Sequence, residues 1–182
     1  MLTEKEILNN KETFLSKVKK YSIFNESLLN ELGEELFISP SHISEDFKYS
    51  YPGGLVEHII QITTYMIKLN NLLPESKKID DETIIKTVFL SQIGKCGMFK
   101  VNSNEWAKKN GKFYEYSKQN VILKYNERSL YLIQKHNISI SESQYQAISM
   151  IGKNEENMLV IYINPLTLLL KQAYDLSVII KT

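Results

Sequence analysis

The sequence has one cysteine, Cys96, which excludes an internal disulfide framework and any zinc site built on several thiolates. A lone cysteine fits a reducing compartment and reads as an ordinary thiol. Charge of one sign is also missing: 22 basic residues face 21 acidic ones, for a formal net charge of +1. With neither a polybasic stretch nor an acidic tail, a general binder of nucleic-acid backbones is not expected. No stretch approaches the ~20 consecutive apolar residues of a membrane span, and the polar N-terminus MLTEKEILNNKETF lacks the apolar run of a signal peptide. A soluble, cytoplasmic protein is the expectation. Glycine, proline and alanine are few while isoleucine, asparagine and lysine are many, a bias that points to an AT-rich genome rather than to an activity. A length of 182 residues suits one domain with a substantial core.

The most informative stretch is Tyr51 to Leu73, YPGGLVEHIIQITTYMIKLNNLL. Pro52-Gly53-Gly54 can bring the chain in at an unusual angle. Leu55, Ile59, Ile62, Met66, Leu69 and Leu73 then recur at helical spacing, with His58 one turn below Ile62 on the same side. An inward imidazole beside a glycine entry suggests a metal ligand. A single histidine on an apolar face also reads as a core residue hydrogen-bonded to a neighbour.

The rest of the chain predicts further helices. Thr3 and Glu6 form a capping-box pattern before an apolar face of Ile7, Leu8, Phe14, Leu15 and Val18. A second helix is expected from Asn25 with Leu28, Leu29, Leu32 and Leu36 inward. Ile38 to Ser50 reads as an ordered connection in which His42 faces solvent. Asp80 caps a helix carrying Ile84, Ile85, Val88, Phe89 and Ile93 and ending at Gly94. The short polar link after Leu73 makes this helix antiparallel to the one before it, so His58 should face Ser91 and Gln92. Trp106, Asn110-Gly111 and Phe113 to Tyr116 predict a β-hairpin turning at Asn-Gly. Helices follow near Asn126 and after the Ser141/Gln144 capping pattern. Met158 to Ile163 is apolar and β-branched enough for a strand, and Asn164-Pro165 starts a last helix through Leu169, Ala173 and Leu176.

Gly53-Gly54-Leu55-Val56-Glu57-His58, then Leu90-Ser91-Gln92-Ile93-Gly94-Lys95, then Glu127-Arg128-Ser129 leading a helix to His136 stand in an order that resembles the HD-domain phosphohydrolase superfamily. The likeness is closest to the HD-like proteins common in phage genomes. It covers about Ile38 to Ser177 and implies a mainly α-helical HD-like bundle with one small hairpin, with residues 1–37 as N-terminal helices ahead of a 38–177 core. The resemblance also implies a divalent-metal site that activates water, built from a first-helix histidine, a His-Asp pair and a distal aspartate. Only His58 matches. Ser91 and Gln92 stand in place of the pair, Tyr174 in place of the distal aspartate, and Tyr125 and Ile151 in place of further histidines. Asp175 is adjacent but points about 100° away on a helix.

The resemblance therefore implies a pseudoenzyme with no metal or other cofactor, acting as a binding or regulatory protein. Its partner would be another protein or a phosphate-containing small molecule such as a nucleotide. His58, Gln92, Lys95 and Arg128 are the candidate ligand-binding residues; Lys95 and Arg128 also read as surface residues. Two alternatives stay open. One is a metal-dependent phosphohydrolase with an atypical set such as His58 with Asp175 or Glu57. The other is a helical structural or assembly subunit, for which a homo-oligomer is expected.

Overall fold

The computed structural model describes residues 2–44, 46–118, 123–152 and 163–179. Helices dominate. The first, α1 (Glu4–Lys20), starts on the expected capping box: Glu6 Oε2 accepts from the Thr3 backbone at 2.7 Å while Thr3 Oγ1 accepts from the Glu6 N–H. It buries Phe14 and Val18 and leaves Leu8 exposed; the Phe14 ring stacks on Phe89 with centroids 4.5 Å apart. The second predicted helix is two. α2 (Glu26–Leu32) is capped by Asn25, whose side chain accepts from the Leu28 N–H, and the chain breaks at Gly33 before the single turn of α3 (Glu35–Ile38). Leu36 is still buried, but from α3.

α4 (Gly54–Asn71) is the central helix, and it begins where the glycine pair permits. Gly53 has φ of +81°, a left-handed conformation that favours glycine. Gly54 lies so close under Tyr49 that a Cβ would sit 2.2 Å from the Tyr49 carbonyl oxygen. Leu55, Ile59, Ile62 and Met66 are buried as their spacing predicts. At the far end Asn70 closes the link to the next helix, donating to the Ile79 carbonyl at 2.7 Å and accepting from the Ile79 N–H at 2.9 Å. α5 (Asp81–Gln92) follows its Asp80 cap and tightens into a 3₁₀ turn, Ile93–Lys95. Ser41 Oγ bridges His58, near the start of α4, to Lys95, just past the end of α5. With Asn70 joining the opposite ends, the two packed helices are antiparallel, as the short link requires.

The hairpin is present, but not where the Asn-Gly pair suggests. β1 (Phe99–Val101) pairs antiparallel with β2 (Tyr114–Tyr116), and Trp106 lies between them in the short α6 (Glu105–Lys109). Asn104 decides this: its side chain accepts from the Trp106 and Ala107 N–H groups and starts a helix where a strand is expected. Asn110-Gly111 then ends that helix. Lys112 N–H bonds the Ala107 carbonyl and Gly111 N–H bonds the Lys108 carbonyl, the crossed pair of a Schellman motif, with Gly111 at φ +77°.

α7 (Tyr125–Lys135), α8 (Glu142–Met150) and α9 (Pro165–Ile179) complete the bundle. Ser141 and Gln144 form the expected capping box of α8, and the Asn164 side chain accepts from the Leu166 N–H at the start of α9. α9 packs on α4 and α8, while α5 packs on α4, α7 and α8. One apolar cluster runs through these helices from Phe14 to Ala173; Met98, Phe99 and Tyr114 under the hairpin make a separate, smaller one. The proposed strand at Met158 to Ile163 falls, up to its last residue, outside the described residues.

Candidate functional site

Three elements converge on His58. From α4 its ring is fully buried, 0% exposed, and both ring nitrogens are engaged: Nδ1 with Ser41 Oγ at 2.6 Å and Nε2 with Ser177 Oγ of α9 at 2.8 Å. The ring stacks on Tyr49 with centroids 4.4 Å apart at 14°, and Phe47 meets it edge-on. Both ring nitrogens are spent on serines, so His58 makes no hydrogen bond to Ser91 or Gln92, the residues that helix pairing sets opposite it. The reason is that α9 and the connection before α4 both reach His58, and sequence periodicity within α4 and α5 says nothing of either.

The direction of this hydrogen-bond chain follows from its fixed acceptors. Ser177 Oγ–H donates to the Tyr174 carbonyl at 2.6 Å, so its oxygen must accept from His58 Nε2–H. Nδ1 is then bare and accepts the Ser41 hydroxyl proton, and Ser41 Oγ in turn accepts from Lys95 Nζ at 3.2 Å. The imidazole is held neutral. Burial, with Lys95, Lys48 and His42 nearby, pushes its pKa well below the ordinary 6.5.

Lys95 occupies the middle of the cluster. It is 2% exposed, so the surface reading fails, and no carboxylate pairs with it among the described residues. Its ammonium lies 4.7 Å from the Tyr125 ring centroid and 5.1 Å from that of Tyr174, and it also donates to the Tyr174 hydroxyl at 3.4 Å. Two ring faces and two hydroxyl oxygens offset part of the desolvation. Burial still lowers the amine to about 7 from 10.5. Tyr174 is pushed up to about 12, by burial and then by Asp175. The Tyr125 hydroxyl is buried near Tyr174 and makes no hydrogen bond of ordinary geometry among the described residues.

The remaining candidates stand elsewhere. Ser91 is buried and donates back to the Val88 carbonyl at 2.8 Å, as short hydroxyl side chains do within helices; Gln92 Nε2 bonds Ser91 Oγ, and Gln92 Oε1 is buried without a partner among the described residues. Arg128 is half-buried and spends Nη1 on the carbonyls of Gly94 and Cys96, so it caps the end of the 3₁₀ turn rather than facing His58. Glu57 is held by the Tyr51 hydroxyl at 2.6 Å, and Asp175 is exposed. His42 is not solvent-facing: it is half-buried, stacks on Phe47 and accepts from the Ser44 N–H. Cys96 is buried, and burial pushes its thiol up to about 11. His136, at the end of α7, is tied to Ser27 and Glu31 of α2.

Of the four positions that the resemblance assigns to metal ligands, the fold thus brings together His58 and Tyr174 and adds Lys95, Ser41 and Ser177. Ser177 was within reach of sequence reasoning, since it lies one turn beyond Tyr174 on the same face of α9. Ser41 carried no such signal. Among the described residues no three His, Cys, Asp or Glu side chains gather so as to hold a metal ion. A cationic amine at the centre of the cluster and neutral groups around it do not fit a divalent ion. Among the described residues no helix is long and apolar enough to cross a membrane. No family model, curated protein or solved structure matches the chain.

Proposed function

We propose that this chain is a catalytically degenerate HD-like protein that acts as a binding or regulatory component through contacts with another protein. The observation that carries the reading is Lys95. In the place where the resemblance calls for a metal, the cluster holds an internal ammonium between Tyr125 and Tyr174, hydrogen-bonded to the serine that also holds His58. An ammonium and a divalent cation repel one another, and a neutral serine, amide and phenol bring no charge to offset that repulsion. Ligation of phosphate by His58, Gln92, Lys95 and Arg128 together is disfavoured, because the first three are buried and the fourth is engaged by backbone carbonyls. The hydrolase alternative finds Glu57 bound to Tyr51 and Asp175 turned to solvent.

The test is elemental analysis of protein prepared without chelator, together with hydrolysis assays on nucleoside phosphates and phosphodiesters in added manganese, magnesium or zinc. The expected result is less than a tenth of a stoichiometric metal, on the order of background, and no turnover above a heat-treated control. About one metal per chain, or hydrolysis that vanishes in His58→Ala, would overturn the proposal in favour of the hydrolase.

A further inference from the structure

The charge of the chain is balanced in total but not in place. From Lys100 to Lys118 it carries five lysines and two glutamates. Lys100 pairs with Glu115 at 3.1 Å and Lys108 with Glu105 at 2.7 Å, which leaves Lys109, Lys112 and Lys118 exposed and without an ion pair among the described residues. The same excursion displays Trp106, 69% exposed, Tyr116, 62% exposed, and Phe113, 48% exposed. Met98, Phe99 and Tyr114 anchor the ribbon in its own small core; the Tyr116 ring rests on Phe99 with centroids 5.3 Å apart and still leaves most of its surface open, as do Trp106 and much of Phe113. The strand register places Tyr116 on the side of Phe99, and Phe113 on the side of the Lys100–Glu115 pair. Rings therefore flank both sides of the ribbon. Beside it runs an open cleft of 570 Å³, lined by Tyr114, Tyr116, Asn102 and Lys112 together with Ile43, Asp46 and Glu115.

We propose that the β1–α6–β2 ribbon is a binding surface for single-stranded nucleic acid, with Lys109, Lys112 and Lys118 taking phosphates and Trp106, Phe113 and Tyr116 stacking on bases. Flat exposed rings beside unpaired cations are the two parts that such binding uses. A duplex hides its base faces, and the five residues of α6 make too short a helix to read a groove. An acidic polypeptide satisfies the lysines but gains little from the rings, whose faces are electron-rich and repel carboxylates. A membrane surface wants its aromatic groups on one side, and here they lie on both. The site is separate from the His58 cluster and stands or falls without it.

Trp106 is the chain's one tryptophan, so its fluorescence reports from inside the proposed site. Titrating the full chain with an oligothymidylate of about 12 nucleotides should quench Trp106 to saturation. Neutralising three phosphates on a single strand predicts a slope of about −2 for log affinity against log salt. Lys109→Glu with Lys112→Glu should weaken binding at least tenfold, and Phe113→Ala or Tyr116→Ala about tenfold each. The lysine and Phe113 side chains are exposed, so those variants should keep the parent's thermal melt; Tyr116→Ala loses the Phe99 contact and is compared at a temperature where its own melt shows it folded. Lys5→Glu with Lys19→Glu on α1 makes the same change in net charge and should leave affinity unaltered. Absence of quenching with oligothymidylate, an equal loss in the α1 variant, or equal displacement by polyglutamate or anionic phospholipid vesicles would each overturn the proposal.

Discussion

Gly94→Ala should destabilise the fold by roughly 3–5 kcal/mol, more than alanine at any other glycine of the chain. The added Cβ would lie 1.9 Å from the Tyr125 carbonyl oxygen and 2.7 Å from the Ser129 backbone nitrogen. Both obstacles are main chain, so no rotamer change relieves them; α7 has to move away from the 3₁₀ turn. That movement also disturbs the Gly94 N–H bond to Ser129 Oγ at 2.9 Å and the Arg128 bond to the Gly94 carbonyl. Urea unfolding measures the cost, and the melting temperature should fall on the order of 10 °C for a chain of this size. Ser129→Ala supplies the comparison. It keeps the close approach but strands the Gly94 N–H and the Ser91 carbonyl, which should cost about 1–3 kcal/mol. Equal losses in the two variants would mean that the hydrogen bonds, not the backbone approach, make glycine necessary at position 94.

Gly94 also shows where sequence reasoning stops. Read locally, a glycine after an apolar helix is a helix end, and α5 does end nearby at Gln92. The physical reason for the glycine is an approach by a helix some thirty residues further on, which no local pattern encodes. The capping signals at Thr3, Asp80 and Ser141 were legible because donor and acceptor are three residues apart, and each appears as expected. The Asn110-Gly111 pair was legible as a place where the chain reverses, but the same residues serve a hairpin turn and a Schellman end equally well. Asn104, six residues upstream, broke the tie. The three-residue strands are too short to show alternation at all.

The candidate site divides in the same way. His58 and Tyr174 could be placed by comparing motif positions, and the fold does set them together, with ring centroids 5.1 Å apart. Lys95 could be grouped with His58 by its motif position, but its burial was not legible; Ser41 could not be joined to them at all, because its contact with His58 comes from a connection without period. Lysine is ordinarily a surface residue, and nothing in Ile93-Gly94-Lys95-Cys96 signals otherwise. What buries Lys95 is the closure of α7 and α9 over it, from which Tyr125 and Tyr174 present their rings.

That burial gives the stability of the fold a measurable dependence on pH. The Lys95 amine titrates at about 7 in the folded chain against 10.5 when exposed, because burial disfavours the ammonium. Below pH 7 the amine is charged in both states, and the folded state bears the full desolvation cost. Above pH 7 the folded state has shed a proton that the unfolded chain still holds, so stability rises with pH, by up to about 1.4 kcal/mol per pH unit. His58 acts in the same direction on the acid side: its depressed pKa means that stability falls as pH drops below 6.5, where the unfolded imidazole takes up a proton. The useful window for Lys95 is about pH 7 to 9. Higher still, buried tyrosines such as Tyr49, Tyr51 and Tyr125, whose pKa values burial raises, oppose the trend as their unfolded counterparts ionise. Lys95→Met fills nearly the same volume without the charge. At pH 7 it should stabilise the fold by on the order of 1–4 kcal/mol, the range seen when buried charges give way to packed apolar groups. Lost hydrogen bonds to Ser41 and Tyr174 offset about 1 kcal/mol of that gain. The variant should also flatten the rise between pH 7 and 9, as read by urea unfolding at each pH. A parent whose stability is flat over that window, or a Lys95→Met variant that is less stable at pH 7, would mean that the ammonium is held by more than two ring faces and two hydroxyls.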